Sequence, residues 1–173
     1  MVEPADIEDL CLLMLQARAR RIPVFVLGGT NLLIRDGGIR GIVVSLARLR
    51  EIKEEPGSVL YAEGGVGMPT LIGYAIRHSL AGLEWAAGIP GTVAGCVVMN
   101  AGTKLGEMKD SVKALRLVNV KGQVVDFEEE GGRMIVTRRS ADDPVEAVYG
   151  ILPLARSTDE LVSELRGGDA AGA

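Results

Sequence analysis

With 173 residues, the chain is long enough for one ordinary domain or for two small lobes that share a cleft. Its composition, 47% hydrophobic and 24% charged residues, is globular, and a formal net charge of -4 without a basic stretch argues against a nucleic-acid partner. Apolar runs are too short to cross a bilayer, no secretory signal begins the chain, and Cys11 and Cys96 give neither a disulfide framework nor a metal-ligand spacing, so we expect a cytoplasmic protein without a metal.

The first half of the chain predicts a parallel α/β arrangement. Residues from Asp6 to about Arg20 have the periodicity of an amphipathic helix, with Asp6 as its N-cap. Short apolar runs at 22–27 and 41–46 predict two buried strands. A helix between two buried strands indicates a parallel βαβ-type start, and we expect that arrangement here. The apolar face of the helix would consist of Ile7, Leu10, Leu13, Met14 and Ala17.

The middle of the chain changes pattern. Residues 50–53 and 58–63 flank the turn EEPG and predict a hairpin, which is followed by a short helix from Thr70 to about His78. Further along the chain, the segment LRLVNVKGQVVDF predicts a second hairpin around Lys121 and Gly122.

The last part of the chain is predicted to be mainly antiparallel. Extended segments at 134–138 and 145–154 follow the second hairpin. A helix from Thr158 to Leu165, capped by Ser157, comes next, and residues 166–173 have the composition of a disordered tail.

Glycine is unusually frequent, with 23 residues, and one glycine cluster follows the first predicted strand. In LGGTNLL, Gly28 and Gly29 would turn the backbone with positive φ and present consecutive N–H groups, while Thr30 and Asn31 add side-chain donors. Such a nest binds an anion such as pyrophosphate. A plain turn is the alternative interpretation of the same residues.

A second and longer glycine cluster follows the predicted helix of the middle region. Pro90 fixes φ before Gly91, and Thr92 would cap a helix whose free N–H groups face a phosphate. The alternative is a core helix packed through its glycines. Trp85 and Met99 are expected in the core beside this segment.

Together these segments resemble a known family. The string GLEWAAGIPGTVAGCVVMNAGTKLG, residues 82–106, is similar to the hallmark of UDP-N-acetylenolpyruvoylglucosamine reductases, and LGGTNLLIRDGGIRGIVV resembles their pyrophosphate loop and following strand. The resemblance implies an α+β fold of the vanillyl-alcohol-oxidase type that binds FAD, with a small parallel α/β lobe and a larger, mainly antiparallel lobe. It implies lobes at 1–84, without the first strand, and 85–165.

The resemblance also implies an activity. NADPH would reduce FAD, and the flavin would pass a hydride to the enolpyruvyl group of a UDP-sugar, which yields UDP-N-acetylmuramate for peptidoglycan synthesis. Arg138, in the stretch TRRS, matches an arginine that polarises the substrate carboxylate. The implied cofactor-binding residues are Gly28, Gly29, Thr30, Asn31, Leu32, Gly88, Ile89, Pro90, Gly91, Thr92, Gly95 and Asn100.

This sequence also departs from the family pattern. The first loop is one glycine shorter than usual, which predicts weaker cofactor affinity, and Thr137 stands in place of a tyrosine. The family's substrate-binding domain, with its proton-donating serine, has no match. We therefore expect a chain truncated at both ends, and three alternatives stay open: a non-catalytic flavin-binding module, a different oxidoreductase on the same fold, and a domain supplied by another chain.

Overall fold

The computed structural model describes residues 1–28, 32–130, 133–139 and 152–153. The chain divides into two compact units. The first contains Met1–Val112 and Val118–Val124, and the second contains Lys113–Leu117 and the described residues from Val125 onwards. This division differs from the lobe boundary at 84/85, which stays a prediction.

The first unit begins with the predicted amphipathic helix. Helix α1 spans Ile7–Ala19, and the Asp6 carboxylate caps it by accepting a hydrogen bond of 2.8 Å from the backbone N–H of Asp9. Glu8 and Asp9 in the first turn complement the helix dipole. The expected face is confirmed, since Ala17 is buried and its predicted companions are half-buried, whereas every residue between them except Cys11 is exposed.

Two parallel strands follow α1. Strand β1 (Val24–Leu27) pairs with β2 (Ile42–Ser45) in parallel register, which confirms the predicted parallel start. Val2 also forms a parallel bridge with Val44 on β2. The expectation of a helix between the two strands is wrong for residues 32–41, which contain none, and α1 instead lies between Val2 and β1.

The predicted hairpin and short helix come next. Strands β3 (Ile52–Glu55) and β4 (Val59–Ala62) pair antiparallel, with Lys53 opposite Tyr61. Helix α2 spans Met68–Arg77, with Pro69 in its first turn and Arg77 in its last. His78 ends this helix and stacks on Tyr74 with ring centroids 4.1 Å apart.

The rest of the first unit is short and irregular. A 3-10 turn at Glu84–Ala86 precedes helix α3, Val93–Val98, and a small hairpin of β5 (Gly102–Thr103) and β6 (Gly106–Glu107) follows it. A second 3-10 turn spans Met108–Asp110.

The second unit is built on a four-stranded sheet in the order β10-β9-β8-β7. Its strands are β7 (Ala114–Val118), β8 (Val124–Glu130), β9 (Arg133–Arg139) and β10 (Leu152–Pro153). β9 and β10 pair antiparallel. The predicted helix at 158–165, its cap Ser157 and the tail at 166–173 lie outside the described residues.

The core of the first unit lies beneath α2 and α3. Its buried members are Val66, Met68, Leu71, Trp85, Ala86, Cys96 and Met108. Trp85 is 7% exposed and its indole N–H donates to the Ser111 hydroxyl at 2.8 Å, so its predicted core position is confirmed. The same prediction is wrong for Met99, which is 60% exposed because it follows the last turn of α3 and lines an open cavity. No helix in the described ranges is long and apolar enough to cross a membrane.

Candidate functional site

The two predicted glycine clusters lie against each other in the first unit. The Thr92 hydroxyl donates a hydrogen bond to the carbonyl oxygen of Gly28, at the end of β1. A β-carbon added to Gly28 would lie 3.5 Å from that hydroxyl and 3.7 Å from the backbone nitrogen of Gly95. The carboxyl end of β1 therefore meets the N-terminus of α3 directly.

A third glycine-rich segment, residues 64–67, completes this meeting point. Gly67 forms an antiparallel bridge with Thr92, and the backbone N–H of Met68 donates to the Gly91 carbonyl at 3.0 Å. A β-carbon on Gly65 would lie 1.8 Å from the Leu46 carbonyl oxygen, so only glycine fits there. The turn between β4 and α2 is thus pressed against the end of β2.

The N-terminus of α3 does not offer the free N–H groups that the sequence suggested. Thr92 caps the helix as predicted, since its hydroxyl accepts from Gly95 N–H at 3.3 Å. The expectation of donors facing a phosphate is wrong, because each amide of the first turn already has a protein acceptor. Val93 donates to Val66 (2.8 Å), Ala94 to Gly64 (3.0 Å) and Cys96 to Thr92 (2.9 Å).

The backbone of the first cluster also differs from the expected nest. Gly28 does not have a positive φ, so the predicted left-handed turn does not begin there. Its carbonyl is occupied by the Thr92 hydroxyl, which fixes the direction in which the chain leaves β1. Gly29, Thr30 and Asn31 lie outside the described residues.

The first cavity lies where these segments meet. It has a volume of about 340 Å³. Its lining combines glycine backbone, three hydroxyl side chains and one guanidinium, with no carboxylate among the lining residues that the structure describes. The lining residues are Leu27, Ser45, Leu46, Ala47, Arg50, Gly65, Val66, Gly67, Thr70 and Thr92.

The second cavity is more open and has a volume of about 470 Å³. One wall is the segment from Ala87 to Pro90, and the other runs from Met99 to Thr103. Pro90 lines the second cavity and Thr92 lines the first, so a single short segment contributes to both.

Asn100 holds the wall of the second cavity in place. Its backbone is left-handed (φ 42°), and its side-chain amide donates to the Glu107 carboxylate at 2.7 Å while accepting from the backbone N–H of Lys109 at 3.0 Å. Its amide therefore ties the end of α3 to the far side of the β5–β6 hairpin.

The charge of Glu107 supports this arrangement. Its carboxylate also pairs with the Lys109 ammonium at 2.9 Å. Hydrogen bonds from Lys109 and Asn100 lower the pKa of Glu107, so the carboxylate remains ionised at neutral pH. Below α3, burial raises the pKa of the Cys96 thiol, which keeps it protonated in the core.

The predicted site residues fall into distinct groups. Thr92 lines the first cavity, and Gly88, Ile89, Pro90 and Asn100 line the second. Gly28 and Gly95 lie beside Thr92, whereas Leu32 and Gly91 are outside the linings of both cavities. Arg138 belongs to β9 of the second unit, and its side chain lies outside the part of the chain that is described.

Of the ten residues that line the first cavity, sequence reasoning selected only Thr92. The residues it did not select are Leu27, Ser45, Leu46, Ala47, Arg50, Gly65, Val66, Gly67 and Thr70. The glycine cluster in AEGGVGMP was a visible signal for the turn at 64–67. No local pattern marks Ser45 or Arg50, because they reach the cavity only through the pairing of β1 with β2 and the close contact at Gly65.

Comparison with known proteins identifies the class of protein to which this fold belongs. The chain belongs to the FAD binding domain family, whose model matches residues 1–128. The predicted α+β FAD-binding fold is therefore confirmed.

Individual relatives are more specific. The chain is 40% identical over 131 residues to the UDP-N-acetylenolpyruvoylglucosamine reductase of Syntrophomonas wolfei, which covers 75% of this chain and 44% of that protein. It is 41% identical over 123 residues to the same reductase of Caldanaerobacter subterraneus, covering 70% and 40%. The chain thus spans less than half the length of these curated relatives.

A solved structure shows the same relationship. The crystal structure of UDP-N-acetylenolpyruvylglucosamine reductase from Thermus caldophilus matches with a TM-score of 0.61 and 27% identity, over 95% of this chain and 59% of that one. The resemblance to this reductase family is confirmed by these relatives.

Proposed function

We propose that the chain binds FAD in the two cavities and forms the flavin-binding part of a UDP-N-acetylenolpyruvoylglucosamine reductase. The observation that carries the proposal is the meeting of Gly28, the turn at 64–67 and Thr92 around the first cavity, in a member of the FAD binding domain family. The residues that would hold the cofactor are the lining residues of both cavities, together with the predicted loop at Gly29, Thr30 and Asn31.

The lining of each cavity fits a different half of FAD. The first has hydroxyl groups, glycine backbone and a cation, with no carboxylate among its described lining residues, which suits a nucleotide diphosphate. The second has exposed Met99 and half-buried Ile89 beside the backbone of residues 100–103, which suits a ring that is apolar on its faces and polar at its edge. Both volumes lie within the range of about 300–1,000 Å³ typical of ligand pockets.

The proposed reaction uses NADPH as reductant and the enolpyruvyl ether of UDP-N-acetylglucosamine as substrate, in cytoplasmic peptidoglycan synthesis. The bound flavin would supply hydride transfer. This chain's own contribution would be to hold and orient the cofactor, and Arg138 would bind the substrate carboxylate through its guanidinium. The proposal rests on the identity of the relatives above.

The cofactor proposal is tested by reconstitution. The purified chain is incubated with FAD, freed of unbound flavin and examined for flavin absorbance and for quenching of Trp85, its single tryptophan, which lies in the core beneath the cavities. We expect about one FAD for each chain. Protein that retains no flavin, even after refolding with FAD, would contradict the proposal.

A flavin-binding module without turnover is the second candidate function. It is favoured by the family match over residues 1–128, which is to an FAD binding domain. NADPH oxidation that depends on the enolpyruvyl substrate separates the two. Turnover by this chain alone would reject the module, whereas flavin binding without turnover would support it. Oxidation of NADPH at a rate that does not depend on the enolpyruvyl substrate would indicate a different oxidoreductase.

A further inference from the structure

The cation of the first cavity has no role in the predicted site. Arg50 follows buried Leu49, precedes β3 and lines the same cavity as Thr92. Among the described lining residues it is the only one that carries a formal charge. Within the described part of the chain its guanidinium forms no ion pair, and its neighbour Glu51 pairs instead with Lys53 at 2.8 Å.

In the described part of this cavity, the backbone amides at the starts of α2 and α3 are not free to bind an anion. The first-turn amides of α3 donate to Val66, Gly64 and Thr92, as described above. The first turn of α2 is occupied as well, since Met68 N–H donates to Gly91 and Thr70 N–H to Gly67, both at 3.0 Å. A phosphate in the cavity would therefore depend on a side chain for its countercharge.

From this geometry we propose that Arg50 pairs with the diphosphate of the bound dinucleotide. A guanidinium presents two parallel N–H donors that match phosphate oxygens, and a ligand covering the cavity would shield this pair from water. Thr70 and Ser45 lie on the same lining and supply hydroxyl donors beside it. The inference rests on the proposed FAD binding and assigns its charge recognition to a residue outside the glycine clusters.

The test compares three ligands in the full chain and in Arg50→Gln. Calorimetric titrations with FAD, ADP and adenosine show whether the guanidinium that is removed in Arg50→Gln recognises phosphate. We expect FAD and ADP to bind on the order of ten- to a hundredfold more weakly to the variant, because a charge-assisted pair is lost, and adenosine to bind as before. Arg50→Lys keeps the positive charge but lacks the two parallel N–H donors of a guanidinium, so it should recover part of the lost affinity.

Arg48→Gln is the matched control, since it removes the same charge from an exposed arginine outside the lining of the first cavity. Its FAD affinity should equal that of the unchanged chain. The inference is overturned if Arg50→Gln binds FAD as tightly as the unchanged chain, or if its affinities for ADP and for adenosine fall equally. It is also overturned if Arg48→Gln weakens FAD binding as much as Arg50→Gln does. An unchanged chain that does not bind FAD would overturn the proposed function and this inference with it.

Discussion

At the scale of single residues, Thr92 connects three parts of the candidate site: the end of β1, the first turn of α3 and the turn at residues 64–67. Its hydroxyl accepts from Gly95 N–H and donates to the Gly28 carbonyl, while its backbone bridges Gly67. One hydroxyl therefore caps α3 and connects the two glycine clusters. Its role is first of all to fix the shape of the cavity it lines.

Replacing Thr92 with valine keeps the size and β-branching of the side chain but removes the hydroxyl. We expect the free energy of unfolding to fall by about 1–3 kcal/mol, since both a helix cap and a hydrogen bond to a part-buried carbonyl are lost. Urea denaturation followed by Trp85 fluorescence measures the change.

The controls for this prediction are Thr92→Ser and Thr70→Val. Serine retains the hydroxyl and should recover most of the stability. Thr70 also lines the first cavity, but its hydroxyl makes no hydrogen bond within the described residues, so its replacement should have little effect on unfolding. Equal losses at Thr92 and Thr70 would show that the network around Thr92 is not the cause.

At the scale of elements, a turn packs against the first helix at Gly122. This residue has φ 71°, and an added β-carbon would lie 2.4 Å from the carbonyl oxygen of Cys11 and 3.1 Å from the backbone nitrogen of Leu15. Both neighbours are backbone atoms of α1, which cannot move aside as a side-chain tip could. The turn between β7 and β8 therefore approaches α1 only because residue 122 has no side chain.

Gly122→Ala should destabilise the first unit. The left-handed backbone alone costs alanine roughly 1–2 kcal/mol, and the clash with Cys11 adds to this. Thermal unfolding monitored at Trp85 should therefore begin at a lower temperature. Gly37→Ala is the control, because a β-carbon there meets no atom within 4 Å. A loss of stability in the control that matches the loss at Gly122 would contradict the explanation.

The elements show which features a sequence can predict. Helix α1, its Asp6 cap, the β3–β4 hairpin and the Thr92 cap follow from local spacing, and the structure has them. The occupation of the α3 amides could not be predicted locally, because their acceptors at Gly64 and Val66 belong to a distant turn. Met99 was misplaced for a similar reason, since an apolar residue that lines a cavity has the same local pattern as one in the core.

At the scale of the whole molecule, the two cavities described above and the hydrophobic core cluster around Trp85 belong to the first unit. Trp85 lies in that core, and its backbone carbonyl accepts from the Thr103 hydroxyl at 2.8 Å on the wall of the second cavity. A ligand that binds only the folded first unit must stabilise it by mass action, and this tryptophan reports that unit's unfolding.

FAD should therefore raise the temperature at which Trp85 fluorescence changes, and the shift should grow with FAD concentration. At about one hundred times the dissociation constant, the folded unit gains about 2.7 kcal/mol, which corresponds to roughly 5–10 °C for a chain of this size. Riboflavin at the same concentration is the control: it lacks the diphosphate, so the first cavity stays without a ligand and the shift should be smaller. Equal shifts with riboflavin and FAD would contradict a role for the first cavity in binding, and no shift at any FAD concentration would contradict cofactor binding by the folded unit.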